Sequence, residues 1–281
     1  MSSKFRDIDP ANDTLLYISN RFELNIEQRY WIAFLYACTY SPTTTYYIYN
    51  EFPDFENVDV NRLQKWWDDK RHLLIFQTDR LRVKSSNQFV HSFRSYRSLM
   101  GGKTQHEFFT GLCTGTTDEN YNRVYKKSEN IYTFGRFTLF IYLEMLNVLT
   151  KLPIEPTTLD LSEADSCRNG VAMAFNRLDL NTHRNNNKLT KEQLSLLQSC
   201  FTDLLQMVRN SDIEHKSIWN VETTLCAYKK YRLGKRYVGF YIDRAGKEIA
   251  KMEQSIPHGV SWQPLWEFRK ETYNHRLLFE L

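Results

Sequence analysis

The chain has 281 residues, of which 42% are hydrophobic, 15% aromatic and 25% charged, with a formal net charge of +4. That composition supplies a sizeable core and excludes disorder on a large scale, and no apolar run approaches the ~20 residues that span a bilayer. The mildly basic balance permits contact with nucleic acid without requiring it.

The opening MSSKFRDIDPANDT lacks the apolar core of a secretory signal, so a soluble, cytoplasmic protein with no membrane partner is expected. Five cysteines (Cys38, Cys113, Cys167, Cys200 and Cys226) are widely spaced and odd in number. No C-x-x-C or Cys/His pair has zinc spacing, which points to reduced thiols rather than a disulfide framework or a metal site.

Helical periodicity dominates in chain order. Asn25 with Gln28 forms a capping-box pattern before Ile26 to Tyr40, a stretch apolar almost all round and therefore suited to the centre of a domain. Pro42 and Pro53 mark loops. Between them SPTTTYYIYNEFPDF (41–55) offers hydroxyls and aromatics; its tyrosines either stack on a base or pack at a helix end, and both readings stay open. Helices are predicted over 60–76, 86–99 and 104–113. GGKT (101–104) has the ending of a phosphate-binding loop, but Arg97 stands where the first glycine belongs and the preceding FRSYRSLM is helical, so a helix-ending turn is expected.

The run RFTLFIYLEMLNVLT (136–150) predicts a second central helix. Its Glu144 needs a cationic or hydrogen-bonding partner if buried, a structural salt bridge being the plainer expectation. KLPIEP (151–156) is a loop, 162–175 a helix, and the polar tract NTHRNNNK (181–188) a linker or insertion. Thr190 with Gln193 opens a further helix whose buried face is Leu194, Leu197, Phe201, Leu204, Leu205 and Val208. Helices follow at 218–231 and 261–272. The best strand signal, itself weak, is RYVGFYID (236–243). A mainly α, bundle-like fold in one domain (1–281) is expected, with at most a small β element near 236–243.

The chemistry-bearing stretch runs from Trp219 to Glu253 and carries Glu222, Lys229, Lys230, Arg232, Lys235, Arg236, Asp243 and Arg244. On a helix, Glu222, Cys226 and Lys229 or Lys230 share one face at three- and four-residue steps. Cations on a partly buried face suit phosphate oxygens, and a carboxylate beside them suits a base. A solvated face whose charges pair among themselves accounts for the same composition. No H-E-x-x-H, no G-x-S-x-G and no tight Asp/Glu/His constellation appears, which leaves metal hydrolysis, serine hydrolysis and metal-dependent nuclease chemistry without support.

Taken together, YWIAFLYACTYSPTTTYYIYNEFP (30–53), LLIFQTDRLRVKSSNQF (73–89), YTFGRFTLFIYLEML (132–146), DLSEADSCRNG (160–170), the C-terminal run and GVSWQPLWEFRKETY (259–273) resemble the alpha-glutamyl/putrescinyl thymine pyrophosphorylase family of phage DNA-modifying enzymes. The most specific combination is FGRF-x4-YLE, S-x-RNG, and ETTLCAYKK followed by YVGFYIDR. The resemblance implies a fold related to the helix-hairpin-helix DNA glycosylases. Gly135-Arg136-Phe137-Thr138 is similar to the end of their hairpin, although the fuller glycine-rich hairpin is absent from this sequence.

The activity so implied is replacement of the pyrophosphate on 5-pyrophosphoryloxymethyl-uracil in DNA by an amine. Partners would be DNA carrying that base, an amino acid or polyamine donor, and a hydroxymethyl-uracil DNA kinase that prepares the substrate, in the host cytoplasm of a phage-encoded chain. No organic cofactor is called for, and magnesium on the pyrophosphate is left open. The expected cradle for the leaving group is Arg136, Arg168, Lys229, Lys230, Arg236 and Arg244, converging from distant segments. Glu222 or Asp243 is the expected base, Asp160 matches the approximate place of a glycosylase aspartate, and Tyr46 and Asn169 are the expected base contacts. A base-excision glycosylase and a non-catalytic DNA-binding or assembly protein are the alternatives.

Overall fold

The computed structural model describes residues 10–78, 81–85, 87–180, 189–213 and 216–273. Among them the chain forms thirteen α-helices, three short 3-10 turns and no strand, so the fold is mainly helical as expected. The helices are α1 (Pro10–Arg21), α2 (Ile26–Thr39), α3 (Pro42–Glu51), α4 (Val60–Lys70), α5 (Gln88–Met100), α6 (Gln105–Leu112), α7 (Thr117–Ser128), α8 (Arg136–Thr150), α9 (Asp165–Ala174), α10 (Lys191–Arg209), α11 (Ile218–Arg232), α12 (Phe240–Ser255) and α13 (Gln263–Tyr273). None is long and apolar enough to cross a membrane. The tract 181–188, read as a linker or insertion, lies outside the described residues.

The chain divides into two compact units. The larger comprises Ala11–Glu155 and Asp243–Leu281, the smaller Met1–Pro10 and Pro156–Ile242.

In the larger unit α2 is the central element, every residue from Tyr30 to Thr39 being buried. Its Asn25 capping box forms as the sequence predicts, and Tyr40 in the left-handed region ends it. It packs on α8, the second central helix. Aromatic rings fill the space around them: Phe34 stacks on Tyr96 at 4.3 Å and Tyr142 meets Tyr96 edge-on. Burying each such side chain contributes roughly 1.5–3 kcal/mol. The phenols stay satisfied, Tyr142 donating to Tyr96 and Tyr96 to Gln105, whose own amide donates to Glu27. Buried Glu144 accepts a 2.8 Å hydrogen bond from the Asn12 amide on α1.

Several local expectations change. Pro42 does not sit in a loop: it is the first residue of α3, behind the Ser41 N-cap, where a missing N–H costs nothing. Helices α1 and α7 add to the predicted set; neither carries a long apolar run, although Thr116 with Glu119 makes a capping box before the polar α7. The helix expected over 60–76 stops at Lys70 and continues only as a 3-10 turn to Leu73. GGKT is a helix-ending turn, with Gly101 left-handed after α5 and Thr104 capping α6. The strand signal at 236–243 is a turn through Gly239 followed by the start of α12.

In the smaller unit α10 buries Leu197, Phe201 and Leu205 behind its Thr190 capping box. Helices α9 and α11 pack closely together. They approach so tightly that a Cβ on Gly170 would lie 2.4 Å from the backbone oxygen of Leu225. Only glycine admits that spacing.

Candidate active site

The site is built on the α9–α11 crossing in the smaller unit. Gly170 against Leu225 fixes the crossing point. Within about one turn of that point the chain places Ser166 and Cys167 on α9, and Glu222, Cys226 and Lys229 on α11. The three- and four-residue steps of ETTLCAYKK put the last three on one helix face.

The hydrogen bonds link these side chains into one cluster. The Cys226 thiol donates to Glu222 Oε1 at 2.9 Å, and Thr223 Oγ1 approaches Glu222 Oε2 at 3.5 Å. The Lys229 ammonium donates to Ser166 Oγ at 2.7 Å, and that hydroxyl also reaches the Cys226 thiol. Lys230 reaches the Tyr241 hydroxyl at 3.4 Å with its ammonium 5.9 Å from the ring centroid. Lys230 thereby ties the C-terminal turn of α11 to the first turn of α12.

The electrostatics follow from desolvation. Loss of water raises the Glu222 carboxyl above its ordinary pKa; the Cys226 thiol and the ammoniums of Lys230 and Lys229 pull it part of the way back. Lys229 moves the opposite way, lowered first by desolvation and then by the like charges of Lys230 and Lys235. Cys226 is raised by desolvation and by the neighbouring Glu222 carboxylate, so it is a neutral thiol and a hydrogen-bond donor at neutral pH rather than a nucleophile. Buried Cys167 is raised by desolvation as well. A carboxylate shifted up and a lysine shifted down bring the two proton affinities closer together, an arrangement suited to accepting and returning a proton.

The other residues singled out in the sequence take different places. In the smaller unit, Arg168 spans the entry to α9. Its guanidinium donates to the carbonyls of Leu161 and Ser162 at 2.9 Å each and pairs with Asp165. Asn169 is buried on α9. Asp160 is exposed and accepts from the backbone and hydroxyl of Ser162, a turn that leads into the helix. Arg236 lies over the Phe240 ring, 3.8 Å from its centroid.

In the larger unit, Tyr46 is buried on α3, donates to the Ser261 carbonyl at 3.0 Å, and packs with Phe22 and Trp262. Asp243 and Arg269 form a buried ion pair at 3.6 Å between α12 and α13. Arg244 binds Glu248 at 3.0 Å and the Gln77 carbonyl at 2.9 Å. The Glu248 carboxylate also takes bonds from Ser41 and Gln77, which completes a network that no local sequence pattern announces. Arg136 is exposed at the first turn of α8.

Of the expected set, the smaller unit therefore gathers Glu222, Lys229 and Lys230. Cys226 joins them on the helix face that the spacing predicts, and the unit adds Ser166, Cys167 and Tyr241, of which Ser166 and Cys167 stand out in the sequence only as part of DSCRNG.

Comparison with known proteins places this helical chain in a family. The chain belongs to the amino acid:DNA transferase family, whose model matches residues 3–237. A serinyltransferase of Salmonella phage ViI is 29% identical to it over 276 residues, which cover 91% of this chain and 66% of that protein. The chain thus spans just under two thirds of that relative's length.

Proposed function

We propose that this chain joins the amine of an amino acid to DNA, at a thymine whose methyl carbon carries a pyrophosphate. The observation that carries the proposal is the Glu222–Cys226–Ser166–Lys229 cluster, assembled from the ETTLCAYKK and S-x-RNG segments of a chain in the amino acid:DNA transferase family. The incoming ammonium gives one proton to Glu222 and gains the lone pair that forms the new C–N bond. The methylene C–O bond breaks, and its electron pair leaves on the pyrophosphate. Lys229 and Lys230 neutralise the charge that grows there, and Lys229, already lowered by desolvation, can pass it a proton. Cys226 and Thr223 orient the Glu222 carboxylate. Arg168, held by loop carbonyls and Asp165, serves to fix α9 so that Ser166 meets Lys229.

The test uses DNA containing 5-pyrophosphoryloxymethyl-uracil and single amine donors, with serine first because the phage relative is a serinyltransferase. Pyrophosphate release and the mass of the product nucleoside are followed together. Release with an amino acid is expected, and Glu222→Gln should slow it ~10²–10⁴-fold, the scale of a positioned proton acceptor. Release supported by polyamines alone would change the donor class. Abasic sites in place of a heavier nucleoside would establish a glycosylase, and no release with any amine would sink the proposal.

A further inference from the structure

The turn between α11 and α12 stands apart from the cluster chemistry. From Lys229 to Ile242 the sequence KKYRLGKRYVGFYI carries five cations and no acidic residue. Tyr231, Tyr237 and Val238 nevertheless expose 54%, 40% and 51% of their surface. The backbone there is well defined. Gly234 at φ +65° closes α11, with Lys235 N bonded to Lys230 O and Gly234 N to Tyr231 O. Phe240 N then bonds to Tyr237 O across Gly239 at φ +92°, which makes a tight turn with Val238 at its tip. Tyr237 rests edge-on against Phe240 at 5.6 Å, and Arg236 covers the same ring. Phe240 is thus a pedestal for both.

We propose that this turn is a DNA-binding wedge: Val238 and Tyr237 enter the base stack, while Arg232, Lys235 and Arg236 hold the phosphates on either side. Tyr237 and Val238 exposed on a preorganised turn, with Tyr231 exposed on the last turn of α11, cost free energy in water unless an occupant covers them. The charge carried by residues 229–242 is all positive, so the occupant is a polyanion with apolar faces to offer. Stacked bases between phosphates meet both demands. The inference rests on the proposed reaction and deepens it, because chemistry on a thymine methyl group gains access when the base leaves the stack. Lys229 and Lys230 lie on the last turn of the same helix, so the wedge leads in sequence directly into the proposed pyrophosphate site.

The experiment measures binding of the full chain to an unmodified 20-base-pair duplex carrying 2-aminopurine beside one thymine, over a series of salt concentrations. Fluorescence should rise on binding as the probe unstacks. Tyr237→Ser with Val238→Ser should abolish at least half of that rise at saturating protein while affinity falls less than threefold. Lys235→Ala with Arg236→Ala should weaken affinity about tenfold and reduce the slope of log affinity against log salt by roughly 1.8, about 0.9 for each phosphate left without its cation. Circular dichroism confirms that each variant is folded. An unchanged fluorescence rise in the serine variant, or an unchanged salt slope in the alanine variant, would overturn the wedge. So would absence of duplex binding, or tighter binding of the wild-type chain to anionic phosphatidylserine vesicles than to DNA. Pyrophosphate release is scored separately: unstacking without release fails the proposed reaction alone, and release with unaltered unstacking in the variants fails the wedge alone.

Discussion

At the scale of single residues, the proposed base Glu222 sets the expected response of the site to pH. Its carboxyl is raised because desolvation outweighs the Cys226 thiol and the two lysines. Between its unfolded and folded pKa the native chain holds a proton that the unfolded chain has lost. The stabilising contribution is therefore full below the unfolded value and disappears as pH rises through the folded one. Glu222→Gln keeps the neutral form at every pH. The variant should accordingly match wild type in Tm at acidic pH and gain on it as the pH climbs toward neutrality; thermal melts at half-unit intervals would show this. Catalysis should run in the opposite sense, since only the ionised carboxylate accepts a proton. The rate should rise with pH through the same window, from a midpoint above that of an ordinary glutamate. A midpoint at the ordinary value would show that Glu222 is not the base.

At the scale of elements, the α9–α11 crossing positions everything else. Gly170→Ala would push a Cβ to 2.4 Å from the Leu225 oxygen, a backbone atom that cannot swing aside. Overpacking of that kind costs about 1–3 kcal/mol. The two helices should separate, the Ser166–Lys229 bond should lengthen, and hydrogen exchange should quicken in α9 and α11 while α2 and α8 keep their protection. Unchanged protection of α9 and α11 in the variant would show that the crossing does not hold them together. These elements also show where sequence is informative. Helices α2 and α8 are plain because an apolar run without a polar face has few other places to go. Glu222, Cys226 and Lys229 are legible because helical spacing is local. Their partners on α9 are not, since no local pattern says which helix will cross which; Gly170 in S-x-RNG is the one mark of a close approach. Pro42 misleads because the same residue ends one helix and can begin another, and only the Ser41 cap distinguishes the cases. The alternation at 236–243 misleads for a related reason: turn residues that expose apolar side chains mimic the pattern of a strand.

At the scale of the whole molecule, the proposed reaction makes this chain dependent on an enzyme that acts before it. Hydroxide is a poor leaving group from a methylene carbon unless a strong acid protonates it. Pyrophosphate leaves with its charge spread over several oxygens, which paired ammonium groups are suited to stabilise. On the proposed reaction, the substrate comes from a kinase that transfers phosphoryl groups to the hydroxymethyl oxygen while the base is already in DNA. Three duplexes of one sequence separate the possibilities, carrying thymine, hydroxymethyl-uracil or pyrophosphoryloxymethyl-uracil at a single position. All three should bind with comparable salt dependence, because the backbone supplies most of the affinity and is common to them. Only the third should accept an amino acid. Adding a hydroxymethyl-uracil DNA kinase and ATP should make the second competent and leave the first unchanged. Transfer to hydroxymethyl-uracil without the kinase would mean that the chain activates the hydroxyl itself, and that the α11 lysines do not serve a departing pyrophosphate.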